Sequence, residues 1–293
     1  PGPIAPRGHP RRWAAEPGLP GVVHVMDAYH GIQRGWDTTE VALARLEEHI
    51  QLEGPSTIAG FILEPVTGTN GILVPPDGYL QGVRALCDKY GIVMIADEVM
   101  SGFGRTGRWF AVDHWGVVPD LITMAKGLTS AYVQLGAVGL RRPIADCFRE
   151  KVFAGCLTYN SHTLACAAAV GTPDVYEDDG LIERAAATGK LMRARLESLA
   201  AKHPCVGAVR SIGLFGIVEL VRNRETKEPM APFNGTSPEM KALGAFFREH
   251  GLYTFVRWNT FFTNPPLTIT EAELDEGFAI VDAALDAADK AVT

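Results

Sequence analysis

Residues Ala59–Val99 read AGFILEPVTGTNGILVPPDGYLQGVRALCDKYGIVMIADEV, and the order of patterns within them decides the fold expected of the chain. AGFILEP (59–65) is a short apolar run bounded by Gly and Pro, as a buried strand is. DGYLQGVRALCDKY (77–90) carries apolar residues at helical spacing, and GIVMIADEV (91–99) is a second buried-strand run. Two further apolar runs, DLITMAK (120–126) and GAVGL (136–140), follow with loops between them. Continuous rather than alternating hydrophobicity predicts a mostly parallel sheet flanked by helices on both faces, an α/β core.

Outward from this core the patterns change. DTTEVALARLEEHI (37–50) opens with a D-x-x-E capping pattern at Asp37 and predicts a helix to about Gln51. The first 19 or so residues, rich in Pro, Gly and Arg, read as a loose terminal segment. After Leu140 come helices around 141–150, 180–202 and 237–250, with strand-like runs GLFGIVEL (213–220) and GLYTFV (251–256). The last element, TEAELDEGFAIVDAALDAAD (270–289), starts with a T-x-x-E capping box. The expected organisation is a loose segment over 1–19, a large domain over 20–178 and a smaller C-terminal α+β domain over 179–293.

Lys+Arg of 27 against Asp+Glu of 34 gives a net charge of -7, which argues against non-specific nucleic-acid binding or attachment to anionic membranes. The five cysteines never stand at C-x-x-C spacing and read as free thiols in a reducing compartment. No run approaches the ~18 apolar residues of a membrane span, and the start has no apolar signal core, so the expected address is cytoplasmic.

Asp97 ends one apolar run and Lys126 ends another. A carboxylate there is costly unless a cation faces it, and a desolvated lysine amine becomes a nucleophile toward carbonyls. Taken singly, Asp97 is equally a solvated acid at a strand end, and an isolated lysine is usually a surface residue. Together they suit pyridoxal phosphate, which needs a lysine for its Schiff base and an acid to keep its pyridine nitrogen protonated.

EPVTGTNGILVPPDGYL (64–80), IADEVMSGFGRTG (95–107), PDLITMAKGLTSAYVQLGAV (119–138), LTYNSHTLACAAA (157–169) and NPPLTITEAEL (264–274) resemble successive signatures of the class III aminotransferases, which have the fold type I architecture of pyridoxal-phosphate-dependent transferases. The resemblance runs from about Gly21 to the C-terminus and is nearest the taurine and β-alanine branch. It implies an amino donor, a keto-acid acceptor (pyruvate or 2-oxoglutarate) and a homodimer with a shared active site. It implies that Lys126 anchors the cofactor and moves the substrate proton, that Asp97 pairs with the pyridine nitrogen, and that Val99 packs on the ring. Thr158 corresponds to a threonine that reaches the cofactor phosphate of the neighbouring subunit, and Arg257 to an arginine that binds a substrate carboxylate. Glu64 and Glu98 are read as supportive. Thr69 stands where relatives with an arginine switch often carry glutamate, which predicts an Arg257 that swings to suit different acceptors.

GFGRTG (102–107) matches the dinucleotide fingerprint formally, but it opens no evident helix and reads as a loop. YHG at 29–31 is read as coincidental, and the eight histidines form no close ligand set, so no catalytic metal is expected. The resemblance also implies that full members are longer by about a third, before Pro1, and that this part holds the phosphate-gripping loop. Cys156 stands where glycine is expected, and Gly171 and Pro173 fall in what should be a continuous helix, so either that helix stops early or the gene is a fragment or has drifted. The alternatives are therefore an impaired, truncated remnant, or another reaction of the same cofactor such as decarboxylation or amine shift.

Overall fold

The computed structural model describes residues 13, 19–28, 38–155 and 157–292. Most of the 1–19 segment, the YHG triplet, Asp37 and Cys156 lie outside the described residues. The chain divides into two compact units, one holding the described residues up to Phe61 with Pro75–Val93, the other Ile62–Val74 and Met94 onward.

In the first unit, helix α1 (Thr39–Glu53) is capped by Thr38, whose side chain accepts from the Val41 N–H. The cap is thus one residue later than the D-x-x-E reading placed it, because the Thr38 hydroxyl supplies the acceptor that the first turn needs. Helix α2 (Tyr79–Tyr90) ends at Gly91, which takes the left-handed φ of 67° that glycine tolerates. The two helices meet closely at Gly82, where a Cβ would lie 2.2 Å from Leu43 Cδ1. Glu47 Oε1 ties them by accepting from Lys89 Nζ at 2.6 Å and from the Tyr90 hydroxyl at 2.5 Å.

Four strands, β1 (Gly60–Leu63), β2 (Val93–Asp97), β3 (Leu121–Met124) and β4 (Ala137–Leu140), pair in the order β1-β2-β3-β4. β2 and β3 run parallel, with Asp97 opposite Thr123, and β4 runs antiparallel to β3. Met94 and Ala96 are fully buried. Ile62, Val138 and Leu140 are exposed, so burial on both faces does not extend to the two outer strands. There the pleat alternates between a covered and a wet face, as an antiparallel or edge strand permits.

After a short helix α3 (Arg142–Asp146), α4 (Thr163–Asp178) runs unbroken through Gly171 and Pro173, contrary to the expected interruption. Pro173 withholds one N–H, and Ala165 and Tyr176 are buried on either side of the defect. Packing outweighs the local loss.

The C-terminal part is an antiparallel sheet of β5 (Val206–Ile212), β6 (Phe215–Asn223), β9 (Thr260–Thr263) and β8 (Val256–Arg257), with β7 (Glu228–Pro229) on β6. Helices α5 (Leu181–Lys202), α6 (Pro238–Glu249) and α7 (Glu271–Ala288) cover it, with Met192, Leu196, Leu214, Phe247, Phe261 and Leu285 in one apolar cluster. The GLYTFV run pairs only at its end, as β8, because Gly251 at φ 81° terminates α6 and Tyr253 faces solvent. Thr270 and Glu273 form the expected capping box of α7. Gly189 of α5 meets Gly213 backbone to backbone, since a Cβ at 189 would lie 2.5 Å from the Gly213 carbonyl carbon. Fully buried His203 joins α5 to the C-terminus, with Nε2 2.8 Å from Asp282 and Nδ1 2.8 Å from Asp289.

Candidate functional site

The ends of β2 and β3 build the site. Asp97, half-buried, accepts from the Val99 N–H through Oδ1 at 3.1 Å, and it pairs with no cation among the described residues. Parallel register puts Thr123 beside it on the same face, where Thr123 Oγ1 is buried with no partner among the described residues.

Glu98 turns away from this face and is fully buried. It accepts from the Ser101 hydroxyl and, at 2.9 Å, from the Val112 N–H. Burial pushes its pKa up, opposed by those two hydrogen bonds. Its carboxyl organises the following loop, in which GFGRTG forms successive turns and opens no helix, as expected. Gly102 is required there, because a Cβ would meet the Glu98 carbonyl at 2.8 Å. Glu64 similarly accepts from the Gly68 N–H at 2.7 Å.

Lys126 opens a short 3-10 turn after β3 at φ 45°, the left-handed region that a lysine enters only at a cost of order 1 kcal/mol or more. Its neighbours fix it there. The Tyr176 hydroxyl donates to the Gly127 carbonyl at 3.1 Å, and Phe103 packs so close to Gly127 that a Cβ would lie 2.5 Å from its own.

Val99, Phe103, Arg105, Lys126 and Tyr176 line one cavity of about 950 Å³, closed further by the Asn264–Thr268 segment. Arg105 Nη1 donates to the Leu214 carbonyl at 2.9 Å and to the Pro265 carbonyl at 2.6 Å. Burial raises the Tyr176 pKa, with Arg105 and Ser130 opposing.

Of the residues singled out from sequence, Val99 and Lys126 share this cavity, and Asp97 stands at the neighbouring strand end without lining it. Thr158 lies exposed in a turn. Arg257 is elsewhere: Nη1 donates to the Thr69 carbonyl at 2.9 Å, and the guanidinium sits 3.9 Å over the Trp258 ring. Arg105 and Tyr176 were not singled out. Arg105 stands inside GFGRTG, whose glycines dominate its sequence pattern, whereas nothing local marks Tyr176.

The family model described as aminotransferase class-III matches residues 10–285. The putrescine–pyruvate aminotransferase of Pseudomonas aeruginosa is 36% identical over 278 residues, covering 92% of this chain and 59% of that protein. The taurine–pyruvate aminotransferase of Bilophila wadsworthia is 37% identical over 255 residues, covering 82% and 54% respectively. The crystal structure of taurine:2-oxoglutarate aminotransferase from Bifidobacterium kashiwanohense, in complex with PLP and glutamate, superposes with a TM-score of 0.93 at 41% identity, covering 98% of this chain and 66% of that one. The chain thus spans 54% to 59% of the length of these curated relatives.

Proposed function

The chain belongs to the class-III aminotransferases, and from that premise we propose that it moves an amino group from an ω-amino acid or amine of the taurine or β-alanine kind to pyruvate or 2-oxoglutarate, with pyridoxal phosphate held at Lys126. One observation carries the reading: Lys126 opens into the large cavity while Asp97 stands one strand away, in register with Thr123. The residues fit the cofactor. The Asp97 carboxylate, without a cation among the described residues, is a polar group that a bound, protonated ring would satisfy. When bound, pyridoxal phosphate supplies an electron sink for charge developing at the substrate carbon.

In this reading Lys126 holds the cofactor and then carries a proton to and from the substrate carbon, Asp97 holds the ring nitrogen protonated, and Val99 packs on one ring face. Arg257 would reach a substrate carboxylate by leaving Trp258 and the Thr69 carbonyl, which makes it the swinging group. Thr158 belongs to a surface completed by a second copy of the chain. Tyr132, Val152, Phe153, Leu157 and Tyr159, all exposed, support a homodimer through that surface, because so much apolar area is rarely left wet. We keep the division at residue 178 between a cofactor-holding domain and a smaller α+β domain. A cytoplasmic address accords with the free thiols of Cys147, Cys166 and Cys205. No helix among the described residues is long and apolar enough to cross a membrane.

The test is a visible absorption spectrum with added pyridoxal phosphate, before and after borohydride, with Lys126→Ala as control. A cofactor band fixed at Lys126, followed by amino transfer from taurine or β-alanine to a keto acid, supports the reading. No band, or trapping that persists without Lys126, sinks it.

A further inference from the structure

We infer that Arg105 holds the anionic group of the substrate, a carboxylate or sulfonate, inside the cavity that Lys126 opens into; the inference rests on Lys126 being the reacting lysine. Arg105 leaves the GFGRTG turn and lines that cavity. Among the described residues it makes two hydrogen bonds, both from Nη1, to the Leu214 and Pro265 carbonyls. Carbonyl dipoles hold the side chain in place but carry no counter-charge, and among the described residues no carboxylate pairs with it. Nε and Nη2 make no hydrogen bond there, so most of the five donors of the fork remain for a ligand.

A guanidinium withdrawn from water is costly unless an anion meets it, and burial pulls the Arg105 pKa down to about 10, with Tyr176 opposing. The charged side chains lining the cavity are Arg105, Lys126 and Asp179, and Asp179 is exposed to solvent. The interior charge is therefore positive. Arg257 does not line the cavity in this structure, so Arg105, with Lys126, is a cation already in place when an anionic donor or acceptor enters. A planar fork also suits a group that presents two or three oxygens.

The same chemistry is offered by the cofactor phosphate, and the experiment separates the two. Calorimetric titration uses 3-hydroxypropanoate and 2-hydroxyethanesulfonate, hydroxyl analogues of β-alanine and taurine that cannot react with the lysine or cofactor, with 1-propanol as the neutral control. It is run on the chain saturated with pyridoxal phosphate and again without it. Arg105→Gln should weaken both anions about tenfold or more while leaving cofactor affinity within about twofold. Arg105→Lys, which keeps the charge and loses the fork, should fall between. Equal anion affinity in wild type and both variants, or no anion binding to wild type, overturns the inference. Loss of cofactor affinity with anion binding intact assigns Arg105 to the phosphate and also overturns it. Should Arg105→Gln fail to fold, Arg105→Lys against wild type decides. If the chain takes up no cofactor, the reading of Lys126 falls, yet the cofactor-free titration still reports on Arg105, so the two failures are distinguishable.

Discussion

Replacing Gly189 by alanine sets two effects of known size against each other. In an exposed helix the change stabilises by about 1 kcal/mol, because alanine restricts the unfolded chain. In α5 the added Cβ would lie 2.5 Å from the Gly213 carbonyl carbon and 2.6 Å from its Cα and oxygen, against an ordinary carbon contact of about 3.5 Å or more. These are backbone atoms, so no side chain can rotate away. Nor can the facing turn retreat, because a Cβ direction at Gly213 already points at the Thr106 carbonyl carbon 2.3 Å off. Overpacking costs about 1–3 kcal/mol, and a clash with backbone on both sides belongs at the upper end, so a net loss of about 2 kcal/mol is expected. Gly171 in α4 is the internal comparison: nothing lies within 4 Å of its added Cβ, and alanine there should stabilise by about 0.5–1 kcal/mol. Urea unfolding followed by far-ultraviolet circular dichroism reads both, as opposite shifts of midpoint at constant m. A Gly189→Ala midpoint at or above wild type, or a Gly171→Ala midpoint that falls as far, refutes the reasoning.

Two other outcomes follow from the geometry. The Asp282 pKa is held low by Lys202 and His203; that of Asp289 is held low by hydrogen bonds from Cys205 and His203 that outweigh its desolvation. Groups depressed in the folded state stabilise it above their unfolded value of about 3.9 and lose that contribution as pH falls through the folded value. Stability should therefore drop below about pH 4, and His203→Gln should lower the plateau and flatten that drop; an acid limb of unchanged steepness in the variant would count against the clamp. In the proposed reaction Arg257→Ala should raise KM for carboxylate substrates about tenfold or more while sparing simple amines, and equal losses for both would remove the swinging role.

The strand ends were legible in the sequence because a carboxylate or an amine closing an apolar run violates the burial pattern, and Asp97 and Lys126 both do so. The glycine turn was legible for a related reason, since 102–107 lacks any helical continuation. What escaped depends on partners far along the chain. Arg105 meets Leu214 and Pro265 across 109 and 160 residues, and Tyr176 meets Gly127 across 49, separations that leave no local signal. Strand β5 went unnoticed because Val206–Ile212 mixes Gly, Arg and Ser with its apolar residues and becomes a strand only by pairing with β6. Proline 173 misled in the opposite direction. Its local penalty is real, and packing around Tyr176 overrides it.

The backbone at Lys126 has a further consequence. At φ 45° a glycine would sit there without strain, so Lys126→Gly should relax the fold even as it removes the amine. In the proposed role of Lys126, stability and chemistry pull in opposite directions at this single position. In that proposed role, a lineage released from the chemistry would find glycine or asparagine there an easy improvement.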